Sequence, residues 1–416
     1  MHRSFRSSLI AAALLAAAVG ASAEQRPQGP QGSQGTPKPP ANDDCVACHN
    51  DPSAKRANGT SVVFDDATVK AFGASAHAQM ACVDCHQDLA AIKEFPHPDR
   101  LAAVNCAACH DTAQEKYAKG VHAHARQNGQ TLAATCIDCH GKHSIQSAKE
   151  PGSPTNHLNL PGTCAKCHGN LDIIARGHIQ IGNVAAKYHD SIHGKALEKS
   201  GLLVAPSCVD CHGNHDIERK SDPTSPVFRE NVPTTCGKCH EGIRQKYEAG
   251  IHAAALRSGN ARAPVCIDCH TAHSIQRADT DAWRLDVTRE CGTCHAESMR
   301  TFKDTYHGQV TSLGFMRVAT CANCHGPHEI HAKSDPRSSV SPAHLVETCG
   351  QCHKGANANF VRYDPHANRH DPARNFALYY AGKFMDWLLI GVFTFFGIHT
   401  VLWLVRGMKS RERSGP

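Results

Sequence analysis

Two cysteines separated by two residues, with a histidine directly after the second, form a compact chemical unit. All 22 cysteines of the 416-residue chain belong to such Cys-x-x-Cys-His motifs, and none is left over. The thiol pairs are Cys45 and Cys48, Cys82 and Cys85, Cys106 and Cys109, Cys136 and Cys139, Cys164 and Cys167, Cys208 and Cys211, Cys236 and Cys239, Cys266 and Cys269, Cys291 and Cys294, Cys321 and Cys324, and Cys349 and Cys352. The histidines that close them are His49, His86, His110, His140, His168, His212, His240, His270, His295, His325 and His353. In this spacing both sulfurs reach one porphyrin edge as thioethers and the next residue turns its imidazole onto the iron, so the motifs read as eleven attachment sites for haem c. Disulfides or zinc could also use paired thiols, but neither explains a histidine after every pair.

An iron held by one histidine needs a sixth ligand unless it is catalytic. Methionine is too scarce: beyond the leader and the apolar tail only Met80, Met299 and Met316 remain. Histidine is abundant, and its positions repeat. After the lone motif at Cys45, five modules follow, each with two motifs and two loose histidines: His77 and His97, His122 and His143, His193 and His215, His252 and His273, His307 and His328. These ten are the expected distal ligands, one pair for the two haems of each module. His143, His215, His273 and His328 lie three residues past a motif, on its own helical face, so each is expected to serve a haem other than its neighbour's. His189, four residues before His193, competes for that module's distal role. The Cys45 site would draw on His124, His157, His178, His189, His331, His344, His366 or His370. Among these His366, in Asp364-Pro365-His366-Ala367, is the first choice as a functional ligand.

The elements that must position these residues are short. About 31 residues per site leave the porphyrins themselves as the core, carried by helices near 116–127, 187–200 and 244–257 that end at Gly129, Gly201 and Gly259. No sustained alternation marks a sheet. The expected fold is mainly α with much irregular structure, an elongated multihaem array plus one C-terminal transmembrane helix.

The ends have their own chemistry. Residues 1–23 carry Arg3 and Arg6, an apolar run and an Ala-Ser-Ala ending, the pattern of a signal peptide; the run is too short for a membrane helix. Residues 24–41 read as a disordered Pro/Gln/Gly linker. Residues 42–380 form the expected periplasmic domain of eleven haems. A transmembrane helix is expected over 384–405, flanked by Trp387 and Trp403, with a basic cytoplasmic tail at 406–416. His399 inside the span could ligate a membrane haem or contact a quinone; hydrogen bonding to a neighbouring helix is the plainer reading. The formal charge of +6 does not point to nucleic acid, because the haem propionates would make the loaded protein acidic.

The recurring Cys-x-x-Cys-His-Gly-x-His-Asp/Ser/Glu-Ile, as in Cys208 to Ile217, resembles the multihaem c-type cytochromes of the broad cytochrome c3-like class, and the tail from Asp364 to Trp403 looks like that of members anchored in the inner membrane beside a cytochrome b. The first 115 residues depart from the pattern, since no histidine stands three residues after His86. The resemblance implies bis-histidine haems in a respiratory chain. Its implied role is electron transfer between the membrane quinone pool, or a cytochrome b or quinone-linked partner, and periplasmic or outer-membrane redox proteins. A carrier without catalytic residues is expected over an enzyme; the alternatives are a reductase or oxidase of a small nitrogen or sulfur compound, with one open-coordinate haem, and an extracellular cytochrome filament. The expected location is the bacterial inner membrane, with the haem domain on the periplasmic side.

Overall fold

The computed structural model describes residues 38–64, 66–92 and 94–413. The leader expected at 1–23 and most of the linker expected at 24–41 lie outside them. Among the described residues the chain is mainly helical, without β-strands; a single bridge joins Lys55 and Ser61. Apolar burial is sparse. Val232, Leu256, Ala263 and Val265 make one small cluster, and Leu197 and Met316 are buried elsewhere.

The motifs occur in two local forms. In one, the motif is itself a one-turn helix: Cys136–His140, Cys208–His212, Cys266–His270 and Cys321–His325. The residue between the cysteines caps that turn. Asp138 accepts the Thr135 N–H at 2.7 Å, Asp210 the Ser207 N–H at 2.7 Å, Asp268 the Val265 N–H at 2.6 Å and Asn323 the Thr320 N–H at 3.0 Å. A polar side chain here satisfies an otherwise orphaned donor at the helix start. In the other form the cysteines come at the end of a helix begun upstream, as in Leu160–His168, Val232–Gly237, Asp281–Cys294 and Leu345–Gly350. Each of the last four modules has one motif of each form.

The helices expected over 116–127 and 244–257 are each broken in two. Asp111–Lys119 and Val121–Gln127 meet at Gly120, and Glu241–Ala249 and Ile251–Arg257 meet at Gly250, both glycines being extended. The third expected helix divides at Ser191, into Val184–Asp190 and Ile192–Gly194. The ends are as expected: Gly129, Gly201 and Gly259 have φ of +84°, +64° and +86°, which suits a residue without a Cβ. The breaks have a shared cause. They free a backbone N–H to bond the next module, Val121 to the Ile217 carbonyl at 2.7 Å, Ile192 to Ile275 at 2.8 Å and Ile251 to Ile330 at 2.7 Å; Ala76 donates likewise to Ile145 at 2.7 Å. The isoleucine that ends the recurring motif is therefore a docking point for the preceding module.

Within a module a tyrosine ties the loose-histidine helix to the motif. Tyr117 donates to the Ala134 carbonyl at 2.8 Å, Tyr188 to Pro206 at 2.7 Å and Tyr247 to Pro264 at 2.9 Å, each two residues before a first cysteine. Burial pushes the Tyr247 phenol up to about 12, so it remains a donor. The apolar span lies inside one continuous helix, Phe376–Arg413, longer than the 384–405 expected. Its most apolar window has mean hydropathy 2.2 and no part buried against the rest of the molecule, so this helix is long and apolar enough to cross a membrane. His399 is exposed on it, and no described helix of the chain covers it.

Candidate haem sites

Each of the eleven motif histidines faces a second histidine from outside the motifs. His49 faces His97 with ring centres 6.0 Å apart, His86 faces His143 at 6.3 Å, and His110 faces His77 at 6.0 Å. His140 faces His215 at 6.0 Å, His168 faces His122 at 6.2 Å, His212 faces His273 at 5.9 Å, and His240 faces His193 at 6.2 Å. His270 faces His328 at 6.1 Å, His295 faces His252 at 6.3 Å, His325 faces His366 at 6.2 Å, and His353 faces His307 at 6.0 Å.

This separation has a simple meaning. Rings in van der Waals contact would sit closer. With metal–nitrogen bonds of about 2.0–2.1 Å and about 1.1 Å from nitrogen to ring centre, two imidazoles on opposite sides of one iron have centres about 6.2 Å apart. The range of 5.9 to 6.3 Å fits that spacing, so the residues present suit an iron held between two imidazoles. All 22 thiols are free rather than paired as disulfides, which leaves them available for thioether attachment.

The electrostatics agree. Burial holds His122, His140, His143, His168, His193, His252, His270, His273 and His328 below the ordinary histidine range, and burial with the facing His273 does so for His212. A neutral imidazole keeps a lone pair free for a metal. At His49 the Nδ1 lies 2.6 Å from the Val62 carbonyl and Phe64 stacks on the ring at 4.2 Å, which directs Nε2 toward His97. Trp283 packs on His270 at 5.1 Å and Phe360 on His353 at 4.9 Å.

The pairing differs from the self-contained modules expected. A helix-borne histidine faces the second motif of its own module, as His193 faces His240. The histidine three residues past a motif crosses backward to the first motif of the preceding module: His215 faces His140, and His273 faces His212. The backbone bonds at Ile217 and Ile275 make the crossing, so the module from Tyr188 to His240 completes a site in its predecessor and is completed by its successor. His366 performs that crossing for the last module. No histidine stands three residues after His86, and His97 takes the place it would have filled opposite His49. Among the described residues none of His124, His157, His178, His189, His331, His344 and His370 faces a motif histidine. His189 is drawn instead to Glu198 by a short hydrogen bond, which leaves His193 to face His240. His157 Nε2 bonds the Ala205 carbonyl at 2.9 Å, and His331 sits buried between Glu329 and Asp335. Repetition marked the isoleucines and tyrosines in the sequence, but nothing local in it revealed what they tie together.

Successive sites are neighbours in chain order, through two alternating junctions. In one, the thiols of two first cysteines lie close enough to perturb one another: Cys45 with Cys82, Cys106 with Cys136, Cys164 with Cys208, Cys236 with Cys266 and Cys291 with Cys321. In the other, a second cysteine lies near both thiols of the next motif: Cys85, Cys139, Cys211, Cys269 and Cys324 are pushed up by burial and by those neighbouring thiols. The eleven sites thus form one unbranched sequence from Cys45 to Cys349.

Residues 55–168 match the class III cytochrome c family. That segment spans the motifs at Cys82, Cys106, Cys136 and Cys164, and the resemblance to cytochrome c3-like multihaem cytochromes is shown over it. The match to this family supports covalently bound haem c and an electron-transfer role. No curated protein and no solved structure matches the chain.

Proposed function

We propose that the chain is an eleven-haem electron relay, 42–380 forming a periplasmic domain held to the inner membrane of a bacterium by the single span at its C-terminal end. The observation that carries this reading is the facing of each motif histidine by a second imidazole at 5.9 to 6.3 Å. The 22 cysteines would attach the cofactors, the eleven motif histidines would be the proximal ligands, and His77, His97, His122, His143, His193, His215, His252, His273, His307, His328 and His366 the distal ones. Bound haem supplies a one-electron iron couple, and bis-histidine ligation places it at low potential relative to His/Met. The chain's own work is to fix each imidazole pair and hold neighbouring sites thiol to thiol.

The order of the sites gives the relay two ends. The motif at Cys349 lies toward the span and the motif at Cys45 is farthest along the sequence from it. Arg406, Lys409, Arg411 and Arg413 after the span favour a cytoplasmic C-terminus. Exchange with the quinone pool or a membrane cytochrome b is therefore assigned to the Cys349 end, and exchange with a periplasmic or outer-membrane redox protein to the Cys45 end. A reductase would need an iron with only one protein imidazole; the second imidazole at every motif favours the carrier. The anchor speaks against a free filament.

The test is the detergent-solubilised native protein. Eleven haems per chain by haemochrome assay, all low-spin in the oxidised paramagnetic-resonance spectrum, with a cytochrome b co-purifying, is the expected result. A high-spin ferric signal would overturn the carrier reading in favour of an enzyme.

A further inference from the structure

The last module has no successor, so nothing can cross back to His325 as His215 crosses to His140. The short segment 364–375, which runs directly into the helix Phe376–Arg413, takes that place with His366. It has no isoleucine docked onto a broken helix to hold it. Instead it lies on the helix Ala296–Lys303, where Thr301 is 1% exposed and its Oγ1 is 3.1 Å from His366 Nδ1.

We propose that Thr301 is the positioning residue for His366: its hydroxyl oxygen accepts the Nδ1–H, which leaves Nε2 unprotonated and aimed at the iron site of His325. The proposal rests on the bis-histidine reading above.

The hydrogen count supports it. The Thr301 hydroxyl has one proton, and the carbonyls of Glu297 and Ser298, both 3.1 Å away, can only accept it. With the proton given to either carbonyl, the two lone pairs of the hydroxyl oxygen remain to accept from His366. An acceptor at Nδ1 selects the tautomer protonated there, and a ligating histidine needs its other nitrogen bare. The rest of the strap is fixed around this contact. The His366 N–H donates to Asp364 at 2.9 Å, and buried Asn368 donates to Glu297 at 3.3 Å while its own N–H bonds Asn375 at 2.9 Å. The Glu297 carboxylate and the Thr301 hydroxyl thus hold the strap to the helix Ala296–Lys303, with His366 facing His325. This makes Cys321 the site whose sixth position is supplied from the anchor's side of the chain.

The experiment uses the full chain in detergent, with Thr301→Val, Thr301→Ser and His366→Ala compared by paramagnetic resonance and by redox titration. Valine matches threonine in volume but can neither accept nor donate, whereas serine keeps the hydroxyl. Thr301→Val is expected to lose, or shift in g-value and midpoint potential, one low-spin signal, the same one that His366→Ala removes; Thr301→Ser is expected to retain it. Unaltered spectra and potentials in Thr301→Val, a change in a different signal, or loss in Thr301→Ser as well would overturn the proposal. A high-spin ferric signal in the wild-type protein would instead count against the bis-histidine reading itself, which separates the two failures.

Discussion

The interior junctions and the C-terminal junction solve one problem with different parts. Between modules, a histidine three residues past one motif reaches the first motif of the preceding module, and a backbone N–H of that preceding module, donating to an isoleucine carbonyl, holds it there. At the C-terminal end the same position is filled from a strap without a motif, held by side chains. A repeat array can add units indefinitely because each buries its neighbour's open face, but its last unit needs a different cap. Here the cap is also the start of the apolar helix. The comparison teaches that the strap that closes the array also leads directly into the apolar helix.

Truncation tests the comparison with the largest expected effect. Ending the chain after Asn375 should release a protein that needs no detergent and keeps every low-spin signal, because the strap remains. Ending it after Tyr363 should in addition convert one low-spin signal to high-spin, because His366 is lost. Equal spectra from the two truncations would show that the strap does not serve the array.

An interior substitution gives the next effect. His215→Ala should remove the same low-spin signal as His140→Ala, and a different one from His240→Ala, because His215 faces His140 across the module boundary. Matching losses for His215 and His240 would restore self-contained modules.

The smallest effect concerns how modules are clamped. Arg229 bonds both Asp268, the cap of the next motif turn, at 2.8 Å and the Ala263 carbonyl at 2.6 Å. His157 approaches Asp210, the equivalent cap one module earlier, at 3.9 Å. Arg229→Leu should lower stability by about 1 kcal/mol, the scale of a half-exposed ion pair and a disturbed helix cap. A shift in the denaturant midpoint with an unchanged spectrum is the check; a lost haem signal would mean the clamp positions a ligand instead.

Much of the molecule was legible in advance. The candidate attachment residues follow from covalent spacing, since two thiols and an imidazole within five residues can reach one porphyrin whatever the surrounding fold. The helical class followed from short periodic segments and glycine stops such as Gly259, and the apolar helix from its length. Counting histidines singled out the same eleven non-motif side chains that the structure brings to face the motif histidines, His366 among them. The helix breaks at Gly120, Ser191 and Gly250 were missed because local propensity favours running on, and only the neighbouring module's isoleucine carbonyl rewards the interruption.

The sequence by itself determined which residues could bind haem and that they come in repeated sets. Only the tertiary structure decided which histidine faces which, that neighbouring sites follow chain order, and that His97 and His366 serve the two ends. The reason is physical. A motif is a matter of bonds along the chain, whereas a facing pair such as His215 and His140 depends on where separate segments cross, and that is fixed by hydrogen bonds between modules such as the one from Val121 to Ile217.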